Sequence, residues 1–212
     1  MRFAGKGILC VCLVLLFGVS VYAQSVLEAS ATRRISQETG IPQNLIQTLF
    51  VEENNAQFIL AFIYINEQSI HSDLKPNIKE AITPFANRNA LLVLVVPAKR
   101  SFFDPFSISF VQNIFRVAVD SSMIVPVTPD FATGELSTGT VSAGIITLDS
   151  RVLVNQTFEV QYNGIHSATF SINPDPNAGS DNVQGGGSLF GNGLRFLLLN
   201  LLLLFLFPFL LL

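Results

Sequence analysis

The chain has 212 residues, half of them hydrophobic and 13% charged, with a formal net charge of −3, two Cys, two His and no Trp. The hydrophobic excess is concentrated at the two ends; residues 24–185 between them carry nine basic and fifteen acidic residues, a net charge of −6. An acidic chain of this kind is not built to hold nucleic acid or anionic lipid headgroups, and its cysteine count excludes the small disulfide-knotted modules.

Arg2 and Lys6 precede an apolar run, Ile8 to Val19, and Val21-Tyr22-Ala23 ends on a small residue. This pattern is a secretory signal peptide over residues 1–23, with cleavage expected between Ala23 and Gln24. The apolar run falls short of the roughly twenty residues that span a bilayer. Cys10 and Cys12 both lie inside it, so the processed chain has no thiol for a disulfide, a nucleophile or a metal ligand.

Residues 24–100 read as an α+β subdomain. Val26 to Thr39 has helical spacing, with polar residues between Val26, Ala29 and Ile35, and Gly40 is placed to close the helix. Ile41-Pro42 prevents its continuation. Leu45 to Glu53 fits a short helix or a strand. Asn54-Asn55 is a turn signal, and Phe58 to Ile65 is apolar on both parities, as a strand buried on two sides would be. Ser72 is a candidate cap for a second helix with Pro76 in its first turn and Leu74, Ile78, Ala81, Ile82 and Phe85 on one stripe. Leu91 to Val96 is the next buried strand. The order of these elements is compatible with a split βαβ layer.

Residues 101–175 change character. Short β-prone runs at Ser107 to Val111, Ile114 to Val119, Met123 to Val127, Thr140 to Leu148 and Arg151 to Val154 are separated by Gly, Pro, Asp and Ser, the mark of an antiparallel, sandwich-like array. Around Asn163-Gly164 a two-residue loop would split the apolar residues between the faces. A three-residue loop with Gly164 left-handed and a bulge, instead of a type I′ turn, puts Phe158, Val160, Ala168 and Phe170 together. The expected fold class is therefore α+β and β-rich, with two helices in the N-terminal half and an antiparallel β-sandwich-like C-terminal half.

Residues 176–185 read as a flexible stalk, and residues 186–212 as a glycosylphosphatidylinositol (GPI) attachment signal that is removed. The sequence has small residues at Gly185-Gly186-Gly187, an eight-residue spacer and then a Leu/Phe tail interrupted at Asn200 and Pro208 without a following Lys or Arg. Gly185 is the expected attachment residue, with Ser180, Asn182 and Gly186 as alternatives. A retained membrane helix is the other reading of the tail, against which Asn200, Pro208 and the missing basic flank argue.

Asn155-Gln156-Thr157 is a glycosylation sequon. His71 and His166 are too few and too far apart for a histidine metal site, and no cofactor or metal is expected. His71-Ser72-Asp73 contains the residue types of a hydrolase triad, and Ser72 to Lys75 matches Ser-x-x-Lys without its companion strings. Adjacent Glu52 and Glu53 diverge on a strand, while Asp104, Asp120, Asp130 and Asp149 sit where turns favour Asp. Phe102, Phe103 and Phe106 form a candidate exposed patch. The reading that follows is a GPI-anchored glycoprotein on the extracellular face of the plasma membrane, with a non-catalytic adhesion or ligand-binding role. Its partners would be the membrane, through the lipid, and an extracellular protein or glycan, with no nucleic acid. The alternative is an extracellular hydrolase using Ser72, Lys75 or a carboxylate pair.

Overall fold

Three layers are stacked in the order helices, large sheet, small sheet, in a computed structural model that describes residues 24–53 and 56–172. Ala23, the stalk and the candidate attachment residues Ser180, Asn182, Gly185 and Gly186 lie outside the described residues.

Helix α1 covers residues 24–39 and stops where expected, at Gly40, which takes φ +70° and donates its N–H to the Ser36 carbonyl. Its inward face is only partly apolar. Ala31 and Ile35 are buried, whereas Val26 is exposed, and the face turned to the sheet also carries polar groups that bond to the strand Ile46–Glu53. Glu28 Oε1 accepts from the Phe50 N–H at 2.9 Å, Gln24 Nε2 donates to the Phe50 carbonyl at 3.2 Å, and Thr48 Oγ1 donates to the Glu28 carbonyl at 2.7 Å.

The ambiguous stretch resolves into a single 3₁₀ turn and strand β1, Ile46–Glu53, paired antiparallel with β2, Ala56–Tyr64. Pairing decides the ambiguity, since a strand lets Leu49 and Val51 face one core while Ile46 faces the other. A one-turn helix, α2 (Glu67–Ile70), is closed by a reciprocal Asn66/Ser69 capping box. Ser72 does not cap the next helix; its hydroxyl donates to the Ser69 carbonyl, and α3 (Pro76–Ile82) begins behind Lys75 with Pro76 in the first turn. The stripe from Leu74 to Phe85 packs on the large sheet as expected.

Strand β3, Ala90–Pro97, pairs antiparallel with β2, so β2 separates β1 from β3 and both run opposite to it. A split βαβ layer needs β2 and β3, the strands that the helices join, to run parallel with another strand between them. The helical excursion instead returns the chain to an antiparallel place beside β2, and that arrangement is not formed. Strand β9, Ser142–Thr147, then pairs with β3, and β7, Ile124–Pro126, with β9, giving the order β1-β2-β3-β9-β7. The sheet thus runs across the junction expected after residue 100. Gly144 of β9 is required bare: a Cβ there would fall 2.1 Å from the Phe131 ring, which lies buried on it.

The small sheet has the order β11-β10-β5-β6: β5 is Ile108–Gln112, β6 Phe115–Ala118, β10 Phe158–Tyr162 and β11 His166–Phe170. A short ribbon of β4 (Ser101–Phe103) and β8 (Gly134–Leu136) accompanies it. Neither ribbon strand is evident from local pattern, and Arg151 to Val154, expected to be a strand, forms turns. Alternate residues of β1, β2 and β3 meet Ile108, Phe110, Phe158, Val160 and Phe170 in one core between the sheets, and the intervening residues meet the helices in a second. The β-sandwich therefore joins both halves of the chain.

The β10–β11 register is the one parity demands, with Phe158 opposite Phe170, Val160 opposite Ala168 and Tyr162 opposite His166. The loop has three residues, but Asn163 (φ +51°) and Gly164 (φ +69°) are both left-handed and Ile165 N–H bonds to the Tyr162 carbonyl. It is thus an Asn-Gly turn of the I′ kind with Ile165 as the extra residue, which corrects the expected turn type while keeping the parity.

Candidate functional site

At one end of the sandwich, where β1 ends and the β10–β11 turn lies, the described residues enclose an open cleft of about 470 Å³. Its apolar floor is Val51, Ala56 and Phe58, with Tyr162 standing edge-on to Phe58 (ring centroids 5.5 Å apart, 90° between planes) and stacked with Phe103 at 6.2 Å. One wall is the β4–β8 ribbon, which presents Arg100, Ser101, Phe102 and Glu135; the other holds Asp104, Ser107 and Asn163, and Glu53 stands at the rim.

Each polar group of the cleft has structural work. The Arg100 guanidinium pairs with Glu135. Ser101 Oγ accepts from the Gln57 N–H at 2.9 Å and fastens β4 to β2. Asp104 caps a 3₁₀ turn, accepting from the Phe106 N–H at 3.2 Å, and takes the Thr133 hydroxyl at 2.7 Å. Tyr162 Oη accepts from the Asp104 N–H at 3.3 Å. Burial is the main cause that raises the Tyr162 phenol above its ordinary value, with the Asp104 N–H opposing it.

Glu53 carries the longest-range contacts. Asn163 Nδ2 donates to its Oε2 at 2.6 Å, and His166 Nε2 lies 3.0 Å from its Oε1. That separation suits an ion pair when the imidazole is protonated, although neither atom makes an aligned hydrogen bond. The His166 side chain is 12% exposed and faces a carboxylate 113 positions away in the chain. Nothing local signals that partnership. Glu52, as expected of a neighbour on a strand, points elsewhere and is exposed.

The remaining candidates are not brought together. His71 Nδ1 sits 2.8 Å from the Glu67 carbonyl, at the end of its own helix turn, and Ser72 is buried and bonded to Ser69. Lys75 precedes α3. Asp120 and Asp149 close turns, through Ser122 and Arg151 respectively. The Phe cluster divides: Phe103 is buried in the core, whereas Phe102 and Phe106 are exposed beside the cleft. Asn155 lies in an exposed turn ahead of β10. Among the described residues no group of three or more His, Cys, Asp or Glu side chains is placed to share a metal ion, and no helix is long and apolar enough to cross a membrane.

Chemically, the cleft can hold a small group between an aromatic floor and a rim of donors and acceptors. No known family, curated protein or solved structure matches this chain.

Proposed function

We propose that the protein is secreted, glycosylated at Asn155 and held on the extracellular face of the plasma membrane by a GPI lipid, and that it binds an extracellular ligand there without chemistry. The terminal sequences support the location: a signal-peptide pattern ends at Ala23, and small residues, spacer and greasy tail follow one another from Gly185. The observation that carries the binding role is the cleft. Its serines, carboxylates and arginine are committed to holding strands and turns, which leaves a shaped, partly aromatic recess as its usable property. Exposed Asn155 is accessible for a glycan.

Phosphatidylinositol-specific phospholipase C treatment of intact cells should release the chain into the medium, without residues 186–212, and Asn155→Gln should lower its mass by one N-glycan. A chain that stays with the cells and retains its Leu/Phe tail would overturn the anchoring. For the binding role, the released protein is screened against extracellular proteins and glycans, and Phe102→Ala and Tyr162→Phe should weaken any ligand found. Unchanged binding in both variants would move the site away from the cleft.

A further inference from the structure

The end of the small sheet opposite the cleft exposes apolar side chains that folding does not explain. Gln112 and Phe115 are paired, so β5 and β6 are joined by Asn113-Ile114, with Asn113 left-handed at φ +54°. Turns of this length favour Gly, Asn, Asp or Ser, yet Ile114 occupies the apex at 91% exposure and Phe115 follows at 55%. Leu153, 48% exposed, is tied to the same end: Gln112 Nε2 donates to its carbonyl at 2.9 Å and Gln112 Oε1 accepts its N–H at 2.8 Å.

The chain leaves the described fold at this end too. Phe170 at the close of β11 faces Phe158, and Phe158 neighbours Gln112 at the start of the β10–β5 ladder. Phe170, Phe158, Gln112 and Phe115 thus form a row across four strands, placing the end of β11 about 15 Å from the apolar apex. Gly185 lies thirteen residues beyond Ile172. In any conformation those residues reach no further than about 45 Å, so an attachment at Gly185 would tether the domain by this end.

We propose that Ile114, Phe115 and Leu153 form a membrane-resting tip that dips into the interface of the bilayer carrying the anchor. This rests on the C-terminal attachment proposed above. The occupant is a zwitterionic lipid surface: the tip is apolar, and the acidic chain as a whole does not favour anionic headgroups. The cleft, at the far end of the same strands, then faces away from the membrane.

The processed chain has no cysteine, so Ile114→Cys, Leu153→Cys and Ile165→Cys each give one site for an environment-sensitive dye; Ile165 is a control at the cleft end, 74% exposed. The mature, lipid-bearing protein is purified and reconstituted into phosphatidylcholine vesicles. Dyes at 114 and 153 should shift to the blue and be quenched by spin-labelled lipid, while the dye at 165 should be unaffected. Ile114→Asp, at an exposed apex, should abolish quenching at 153 with an unchanged circular dichroism spectrum. Vesicles that float without the protein would overturn the attachment and this inference together. Flotation with equal signals at 114 and 165 would overturn this inference alone. So would a dye at 114 that is shielded before reconstitution and freed by glycosidase, which would make the Asn155 glycan the cover.

Discussion

The two ends of the small sheet are built from the same four strands but stabilised by different means. At the exit end Phe158 and Phe170 stack at 5.1 Å with 14° between planes, and the Gln112 carboxamide pins the loop before β10 to the hairpin. At the cleft end Glu53 reaches from β1 to Asn163 and His166, and Tyr162 accepts a long hydrogen bond. Both ends have buried aromatic rings, but the polar clamp of the first is the Gln112 carboxamide within one sheet and its loop, whereas that of the second reaches between sheets through the Glu53 carboxylate. On the proposed binding role, a recess that admits a ligand is compatible with weak, replaceable clasps, and on the proposed attachment the tethered end is served better by a packed one.

Substitutions at the two ends can break that contrast. Phe170→Ala should have the largest effect, about 3–5 kcal/mol of stability in chemical denaturation, because it empties a fully buried ring site. A loss as small as that of a surface change would mean the exit end is not the stable one. Gln112→Ala should cost about 1–3 kcal/mol by orphaning the Leu153 N–H and carbonyl; hydrogen exchange should quicken at 153 but not at 163. Glu53→Ala should cost about 1–2 kcal/mol, with faster exchange in the β10–β11 turn and little change at Leu153.

The smallest effect concerns pH. Hydrogen bonds from the Arg151 guanidinium and N–H hold the Asp149 carboxyl at about 2 instead of 3.8. A carboxyl depressed in the folded state adds stability above its unfolded value, and that stability disappears as pH falls through the folded value, here between about pH 4 and 2. The pair is at the surface, so the contribution is screened and small. NMR titration should place the Asp149 midpoint near 2, and Arg151→Ala should raise it towards 3.8.

How much of this was legible in the sequence depended on the range of the signal. The runs that became β2 and β3 were plain because both parities are apolar, and Gly40 marked a helix end through its backbone freedom alone. Hairpin parity followed from where Phe158, Val160, Ala168 and Phe170 must point, though the turn type did not, since Ile165 restored parity without removing the Asn-Gly geometry. The union of β3 with β9 was invisible, because two apolar strands fifty residues apart carry no mark of each other. The cleft was hidden for the same reason: Glu53, Arg100, Asp104, Glu135 and Tyr162 acquire a common address only through long-range pairing. The inward face of α1 was not legible, because Gln24, Glu28 and Thr32 turn inward to bond β1, which hydropathy alone does not foresee.

Those inward groups bear on solubility. β1 is the outer strand of the large sheet, and an outer strand with open amides is a template on which further chains can grow. The Glu28 carboxylate and the Gln24 carboxamide occupy the amide and carbonyl of Phe50, while the opposite margin, β7, is three residues long and ends in Pro126. A protease cut inside residues 24–39 that removed this cover should open β1 to strand addition by further copies, and thioflavin fluorescence would follow any fibrils that grow.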